Sequence, residues 1–257
     1  MTRAISITLL LCTAGAFAQE YTFERLGVPT KVPGHALSVT TQHPDGHWIA
    51  WDRHETPDYL GLFGVRLDNG EYFLIDLSMH GRSHVSVAHG RDGKIYAYVG
   101  RPDAHFLQID PVSHEITDLG APAENAYYFS GGSMGPDGRF WVGSYPRATL
   151  VWADTNTGEI GEVGRLPDDD RNKYQFPSLA VSDDNIVYCP VGLHHQELYA
   201  YNPETEEKTQ ILPEEFTSRS GSPRVWRAKD GNVYGRSGGD HFACFPTHIE
   251  RMDETPV

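Results

Sequence analysis

RSHVSVAHGRDGKIYAYVGRPDAHFLQIDP, residues 82–111, contains the pattern on which the fold prediction depends. Residues 83–88 alternate polar and apolar side chains, which is typical of a half-buried strand. Arg91-Asp92-Gly93 predicts a tight turn, because Asp hydrogen-bonds locally and Gly tolerates a positive φ. Residues 94–99 predict a second strand rich in Ile, Tyr and Val, and residues 105–109 predict a third.

Two short connections would reverse the chain twice within this stretch. The first strand begins near His84 and the third begins at His105, so both residues are expected at the same edge of one antiparallel sheet. We place the candidate chemistry at that edge.

The turn signal recurs along the chain. The turns are Asp45-Gly46, Asp92-Gly93, Asp137-Gly138, Asp184-Asn185 and Asp230-Gly231. Their aspartates are separated by 47, 45, 47 and 46 residues, and a strand-like segment follows each turn. Four short antiparallel strands in each repeat predict an all-β fold, a β-propeller of four-stranded blades. Stacked hairpins or a β-sandwich would be the alternative.

The number of repeats raises a question about closure. The pattern indicates four complete units and a fifth that begins near Gly221 and lacks its last strand, about 4.5 blades in all. We interpret this as a fragment of a larger, C-terminally incomplete propeller. The alternative is a five-bladed ring in which residues 21–43 supply the missing outer strand.

The amino terminus has the features of a secretory signal peptide. Arg3 precedes an apolar core, and Ala16-Phe17-Ala18 forms a small-x-small cleavage site. The apolar run is too short to span a bilayer. We therefore assign residues 1–18 to the signal peptide and 19–257 to the propeller domain, and expect a secreted or periplasmic protein.

The charge of the chain restricts its partners. The formal net charge is −14, and it becomes −15 without Arg3. Such a surface repels nucleic acid and anionic lipid, so we expect neither a nucleic-acid partner nor membrane insertion. An anionic substrate would need a local group of basic side chains.

His, Tyr and Arg residues are predicted to gather on the face opposite the Asp-Gly turns. This face receives the starts of the first strands and the loops between second and third strands. The residues placed there include His84, Arg101, His105, Tyr128, Tyr145, Arg147, Tyr174, His194, His195 and Arg219. Each also has a structural interpretation: a histidine satisfied within the fold, a tyrosine that fills space at the rim, or an arginine paired with a nearby aspartate.

Cys189 and Cys244 are the cysteines that follow the signal segment. They can form one disulfide in an oxidising compartment. With His241 and His248 they could instead provide ligands for a structural metal ion, although the spacing is not that of a standard zinc finger.

Several of these segments resemble a known family. Ser83-His84, the Asp92 to Tyr96 turn, Ala104-His105 and Ser144-Tyr145-Pro146 are similar to segments of secreted β-propeller polysaccharide lyases. These include the ulvan lyases and, more closely, the rhamnose–glucuronate lyases and related rhamnosidases. The resemblance covers roughly residues 80–205.

The resemblance implies a catalytic group of two histidines on one blade, a tyrosine on the next, and an arginine. In this sequence the catalytic candidates are His84, His105 and Tyr145. The candidates for substrate binding are Arg101, Tyr128, Arg147 and Arg219, and both Arg147 and Arg219 qualify as the completing arginine.

The implied reaction is β-elimination at a uronic acid of an anionic polysaccharide or oligosaccharide. Neutralising the carboxylate makes the neighbouring C–H acidic, histidine can take the proton, and tyrosine can protonate the leaving oxygen. This scheme requires no cofactor. Two alternatives stay open: a rhamnosidase-type hydrolase on the same scaffold, and a non-catalytic propeller that binds a glycan or protein.

Overall fold

The computed structural model describes residues 38–56, 58–81, 85–100, 104–129, 131–175 and 179–254, with the backbone alone at 128 and 129. These residues form 22 short strands and one single-turn helix, α1 (Glu214–Thr217). The all-β prediction is therefore confirmed. None of the described residues lies in a helix long and apolar enough to cross a membrane. The predicted signal peptide, residues 1–18, lies outside the described residues.

The first two blades are antiparallel sheets of four consecutive strands each. Blade one consists of β1 (Val39–Gln42), β2 (Trp48–Thr56), β3 (Tyr59–Arg66) and β4 (Tyr72–Asp76). Blade two consists of β5 (Val85–His89), β6 (Ile95–Gly100), β7 (Ala104–Ile109) and β8 (Ile116–Gly120). Each strand pairs with the next in sequence, so each blade is a meander of three hairpin connections.

Blades three and four differ in their first strand, which consists of two short segments paired with the same second strand. Blade three consists of β9 (Tyr128–Phe129), β10 (Ser133–Met134), β11 (Arg139–Tyr145), β12 (Thr149–Asp154) and β13 (Ile160–Arg165). Blade four consists of β14 (Tyr174–Gln175), β15 (Ala180–Val181), β16 (Val187–Gly192), β17 (Glu197–Asn202) and β18 (Glu207–Gln210). Blade five consists of β19 (Arg224–Arg227), β20 (Val233–Ser237), β21 (Asp240–Cys244) and β22 (Ile249–Met252).

The first strands of successive blades contact one another in order. β5 touches β1 on one side and β10 on the other, and β15 touches β10 and β19. The first strand is therefore innermost in each blade, and the fourth is outermost. This arrangement confirms the predicted β-propeller, and the strand before each Asp-Gly turn lies beside the axis.

The second strands of blades two and four, β6 and β16, are buried along their whole length because each lies between two cores. In β6, Ile95, Ala97 and Val99 pack in the core between blades one and two. The alternate residues, Tyr96 and Tyr98, pack in the core between blades two and three. The two-residue period of a strand thus distributes one segment between two cores. These shared cores hold neighbouring blades together.

The Asp-Gly turn is stabilised by the contacts that its residue types predict. The Asp92 carboxylate accepts a hydrogen bond from the Lys94 amide, 3.1 Å away. Gly93 has a φ of 81°, a conformation that strains a residue with a Cβ. Turns of this type lie at one end of the propeller, which we call the Asp-Gly face. The opposite end, where second strands end and third strands begin, is the upper face.

The predicted incompleteness of blade five is wrong. β22 pairs with β21 and provides the fourth strand. The connection between them is closed by the Phe245 amide, which donates to the His248 carbonyl at 2.9 Å. That connection, Phe245 to His248, contains no Asn-Gly or Asp-Gly signal, so the sequence pattern did not reveal the last strand.

The alternative use of residues 21–43 is also wrong for the part that the structure describes. β1 pairs with β2 as the innermost strand of blade one, and not with the outer edge of blade five. The five sheets of the described residues therefore account for five complete blades rather than about 4.5.

Cys189 and Cys244 are both free thiols. Cys189 lies in the core between blades three and four, and Cys244 in the core between blades four and five. Burial raises the pKa of both thiols far above their ordinary value. The disulfide that the sequence allowed is not formed.

Candidate functional site

His105 lies at the start of β7 on the upper face and is oriented by a carboxylate. Its Nδ1 is 3.1 Å from Oδ1 of Asp118, which is in the outermost strand of the same blade. His80, from the loop after blade one, places its own Nδ1 3.3 Å from Oδ2 of Asp118. One carboxylate thus contacts two imidazoles from different blades.

This geometry has a chemical consequence for His105. A carboxylate accepts hydrogen bonds, so Nδ1 carries the proton that faces Asp118. In the neutral ring Nε2 then has a free lone pair and can act as a general base. The His105 side chain is 32% exposed, which leaves it accessible to a molecule on the upper face.

Asp118 stays ionised because of its hydrogen bonds. Burial alone would raise the pKa of its carboxyl, but hydrogen bonds from His105, the Gly120 amide and His80 outweigh burial and hold the pKa below its ordinary value. A depressed pKa stabilises the fold at pH values above the ordinary carboxyl range and loses that contribution as the pH falls through the folded-state pKa. The carboxylate that orients His105 is therefore charged at neutral pH.

Tyr145 ends β11 and forms part of an aromatic pair. Its ring stacks on Tyr174, with centroids 4.2 Å apart and planes inclined by 22°. Tyr174 begins the innermost strand of the next blade, so the pair bridges blades three and four. Both rings are half-buried, which leaves part of the pair open to solvent.

A short segment between blades two and three links His105 to Tyr145 through the backbone. The Ala104 amide donates to the Ala126 carbonyl at 3.0 Å, and the Tyr127 amide donates to the Tyr145 carbonyl at 2.8 Å. The strand end next to His105 is thus bonded to Ala126, and the strand end at Tyr145 is bonded to the following residue, Tyr127. Within the described residues, the His105 side chain is hydrogen-bonded to Asp118, whereas the Tyr145 ring stacks on Tyr174.

The two arginines that the sequence left open have different surroundings. Arg147 follows Tyr145 closely and is exposed, and no ion pair of its guanidinium occurs within the described ranges. The Arg219 guanidinium donates to the Ser237 carbonyl and to Asp240, each at 2.8 Å. The Arg147 side chain is therefore the more available of the two for an anionic ligand.

The remaining predicted residues are only partly described. His84 and Arg101 lie outside the described residues. The backbone of Tyr128 pairs with Tyr145, but its side chain is not described.

Blade four contributes a polar cluster that the sequence indicated only through its two histidines. His195 places Nε2 3.2 Å from Glu197 and Nδ1 3.6 Å from Asp169. Asn172, which is fully buried, donates to Glu197 at 2.9 Å. The side-chain oxygen of Asn172, Oδ1, accepts hydrogen bonds from the backbone amides of His194 and His195 at 3.0 and 3.1 Å. The Asn172 side chain therefore connects the Glu197 carboxylate to the backbone at residues 194 and 195.

Asp118, His80, Asn172 and Glu197 were missed at the level of sequence. Their partners are distant in the chain, as with His80 and Asp118, which are separated by 38 residues. No local motif marks such pairs. Only the strand register, which brings the end of β8 beside the start of β7, would have pointed to Asp118.

Potential metal ligands occur in two groups in the described part of the chain. They are Asp169, His194 and His195 on the upper face, and His43, Asp45 and His47 on the Asp-Gly face. The predicted ligand set of His241, Cys244, His248 and Cys189 is not assembled, because its two cysteines lie in different cores.

Comparison with known proteins identifies the fold. No protein-family model and no curated protein matches the chain. Among solved structures, virginiamycin B lyase from Staphylococcus aureus aligns with a TM-score of 0.60 and 15% identity, covering 83% of this chain and 68% of that one. A streptogramin B lyase structure aligns with a TM-score of 0.62 and 14% identity, covering 87% and 70%. At this identity the similarity establishes a shared fold.

Proposed function

We propose that the upper face catalyses β-elimination on a uronate-containing glycan of the rhamnose–glucuronate type, which would make this protein a secreted carbon–oxygen lyase. The observation that carries the proposal is the His105–Asp118 pair, whose strand is linked through residues 126 and 127 to the strand that ends at Tyr145. An oriented base and a phenol on neighbouring strand ends are the two groups that an elimination needs.

The reaction breaks one C–H bond and one C–O bond. His105 Nε2 takes the proton from C5 of the uronate, and the electron pair forms the C4=C5 double bond. The C4–O4 bond breaks, and the leaving oxygen receives the proton of the Tyr145 hydroxyl. Exchange with solvent then returns a proton to Tyr145 and removes one from His105, so that the protein is regenerated.

Arg147 supplies the charge that makes the C5 proton acidic. Removal of this proton places negative charge on the substrate carboxylate, and a nearby guanidinium stabilises it. Arg147 lies two residues after Tyr145 and is exposed on the same face. In a chain of net charge −14, such a local cation is needed to hold an anionic sugar.

Two further features support the proposal. The Tyr145–Tyr174 pair offers an aromatic surface against which the apolar side of a sugar ring can pack. The same fold carries proteins named as lyases in the two solved structures described above, so a lyase on a propeller scaffold has precedent. His84 is the remaining catalytic candidate from the sequence and retains that status.

The test is incubation of the secreted protein with a rhamnose–glucuronate polymer. An elimination produces a 4,5-unsaturated uronate, which absorbs in the near ultraviolet. We expect this absorbance to rise with wild-type protein and not with His105→Ala. His89→Ala is the matched control, because His89 is exposed at the end of β5 on the Asp-Gly face.

Other outcomes would assign the face differently. Release of rhamnose without near-ultraviolet absorbance would identify the rhamnosidase-type hydrolase. Saturable binding of the polymer without any product would identify a glycan-binding propeller. If the protein is folded but produces no absorbance and does not bind the polymer, the glycan proposal as a whole is contradicted.

A further inference from the structure

A second group of convergent side chains lies on the Asp-Gly face, at the opposite end of the propeller from His105. It occupies the turn between β1 and β2, with the sequence His43-Pro44-Asp45-Gly46-His47. The turn is closed by two backbone hydrogen bonds, from the His43 amide to the His47 carbonyl at 2.9 Å and from the Gly46 amide to the His43 carbonyl at 2.8 Å. The hairpin thus brings residues 43 and 47 side by side.

Two imidazoles meet one carboxylate oxygen in this turn. His43 Nδ1 is 2.9 Å from Asp45 Oδ1, and His47 Nδ1 contacts the same oxygen. The two rings are stacked with centroids 4.4 Å apart and planes inclined by 15°. One ligand atom from each of the three residues lies within 4.8 Å of the others. Three potential ligand atoms therefore lie close together within one turn.

The burial of His47 supports a ligand in this turn. Its side chain is 8% exposed, and its buried Nδ1 faces Asp45 Oδ1 without making a hydrogen bond of normal geometry. A buried ring nitrogen without a hydrogen bond is unfavourable, because it has lost its contact with water. A cation bound by both Nδ1 and the Asp45 carboxylate would satisfy the two groups.

Backbone groups take part in the other polar contacts of the turn, and the Gln42 side-chain amide donates to the Gly46 carbonyl at 3.2 Å. The Asp45 amide is 3.4 Å from His43 Nδ1, and the His47 amide is 3.3 Å from Asp45 Oδ1. The nearby Arg66 guanidinium is engaged with Asp68 at 2.7 Å. Its positive charge is therefore largely offset beside the turn.

We infer that His43, Asp45 and His47 bind a divalent transition-metal ion, with Zn²⁺ as the representative case. Imidazole nitrogen suits Zn²⁺, Cu²⁺ and Ni²⁺, whereas Mg²⁺ and Ca²⁺ prefer oxygen ligands throughout. Two nitrogens and one carboxylate oxygen provide three ligands, and water can complete a tetrahedral set. The site is independent of the proposed elimination.

The bound ion would tie the end of the innermost strand of blade one to the start of its second strand. β1 also contacts β5, so the ion would strengthen a hairpin that supports the contact with blade two. A ligand that binds the folded state alone stabilises that state by mass action. The proposed role of the ion is therefore structural.

The experiment is calorimetric titration of the full-length protein with ZnCl₂, together with the thermal midpoint with and without Zn²⁺. We expect His47→Gln to lose one equivalent of Zn²⁺ and the Zn²⁺-dependent rise in midpoint. His43→Gln, at a side chain that is 27% exposed, provides a second variant if His47→Gln does not fold. MgCl₂ should not replace ZnCl₂ in either measurement.

Two controls separate this turn from other histidines. His248 stacks on Phe245 and lies 3.5 Å from Glu250 on the same face, and no second imidazole stacks on it among the described residues. His248→Gln should still bind the equivalent of Zn²⁺ that His47→Gln loses. His194→Gln, which alters the other potential ligand group, should bind it as well. Full Zn²⁺ binding by both turn variants, or no binding by the wild-type protein, would overturn the inference.

Discussion

Carboxylates and amides in this propeller make two kinds of contact, one within a turn and one between distant parts of the chain. On the Asp-Gly face a side chain such as Asn202 accepts a hydrogen bond from the amide two residues later, at 2.9 Å, and so shapes its own turn. On the upper face Asp118 and Asn172 contact side chains and amides from other strands and loops. A polar group satisfied locally builds the fold, whereas one satisfied at long range can position other side chains.

The His43–Asp45–His47 turn combines both roles within five residues. Asp45 accepts the His47 amide, as other turn aspartates do, but it also contacts both neighbouring imidazoles. The comparison therefore separates a face that carries the proposed elimination from a face with one proposed structural ion.

The largest expected effect concerns activity on the upper face. Tyr145→Phe removes one hydroxyl and should reduce the rate of unsaturated-uronate formation by about two to four orders of magnitude, the usual contribution of a general acid or base. The double variant with His105→Ala should be little slower than the slower single variant, because groups that act together lose most of their effect at the first deletion. The measurement is the initial rate at saturating polymer.

The matched variant for this prediction is His89→Ala, which replaces a histidine of the same blade on the Asp-Gly face. Its rate should equal that of the wild-type protein. Wild-type rates for both Tyr145→Phe and His105→Ala would contradict the catalytic assignment, even if the polymer is cleaved.

A smaller effect is expected on stability when a long-range amide is removed. Asn172→Ala removes the hydrogen bond to Oε2 of the buried Glu197 carboxylate, which keeps its contact with His195 through Oε1, and leaves the amides of His194 and His195 without their acceptor. Each unsatisfied buried group costs about 1–3 kcal/mol, so we expect the free energy of unfolding to fall by at least about 2 kcal/mol. Asn202→Ala, the same substitution on the Asp-Gly face, removes one local hydrogen bond and should cost about 1 kcal/mol or less.

Urea denaturation of the two asparagine variants gives the comparison directly. Equal losses of stability would show that the local and the long-range amide contribute alike, and would contradict the expected difference between them.

The smallest effect concerns the pH dependence of a turn. Hydrogen bonds from the Tyr234 hydroxyl and the Asn232 amide hold the pKa of Asp230 below its ordinary value. A depressed carboxyl pKa stabilises the fold above the unfolded-state value, and that contribution disappears as the pH falls through the folded-state pKa. Asp230→Asn should therefore lower the thermal midpoint slightly at neutral pH, and the difference from the wild type should shrink in acid.

Glu204→Gln is the control for this pH series, since Glu204 is an exposed carboxylate at a turn on the same face. A midpoint difference for Asp230→Asn that is constant between neutral and acidic pH would show that the carboxylate charge does not contribute.

Much of the fold was predictable from local patterns. Asp92-Gly93 and its repeats mark the turns because the backbone conformation there depends on the residue itself. The apolar second strands, such as Ile95–Gly100, were recognisable because both faces of a strand between two blades are buried. The last strand of blade five was not predicted, since the connection Phe245 to His248 reverses the chain without a strong turn signal.

The sequence by itself determined the repeat, the blade order and the face on which His105, Tyr145 and Arg147 lie, because these follow from strand period and turn spacing. Only the tertiary structure decided which carboxylate contacts which histidine. Asp118 meets His80 across 38 residues, and Asn172 meets Glu197 across 25. Such pairs depend on how neighbouring blades pack and on the register within each sheet. Hydrogen bonds between residues so far apart in sequence produce no periodic pattern in the sequence.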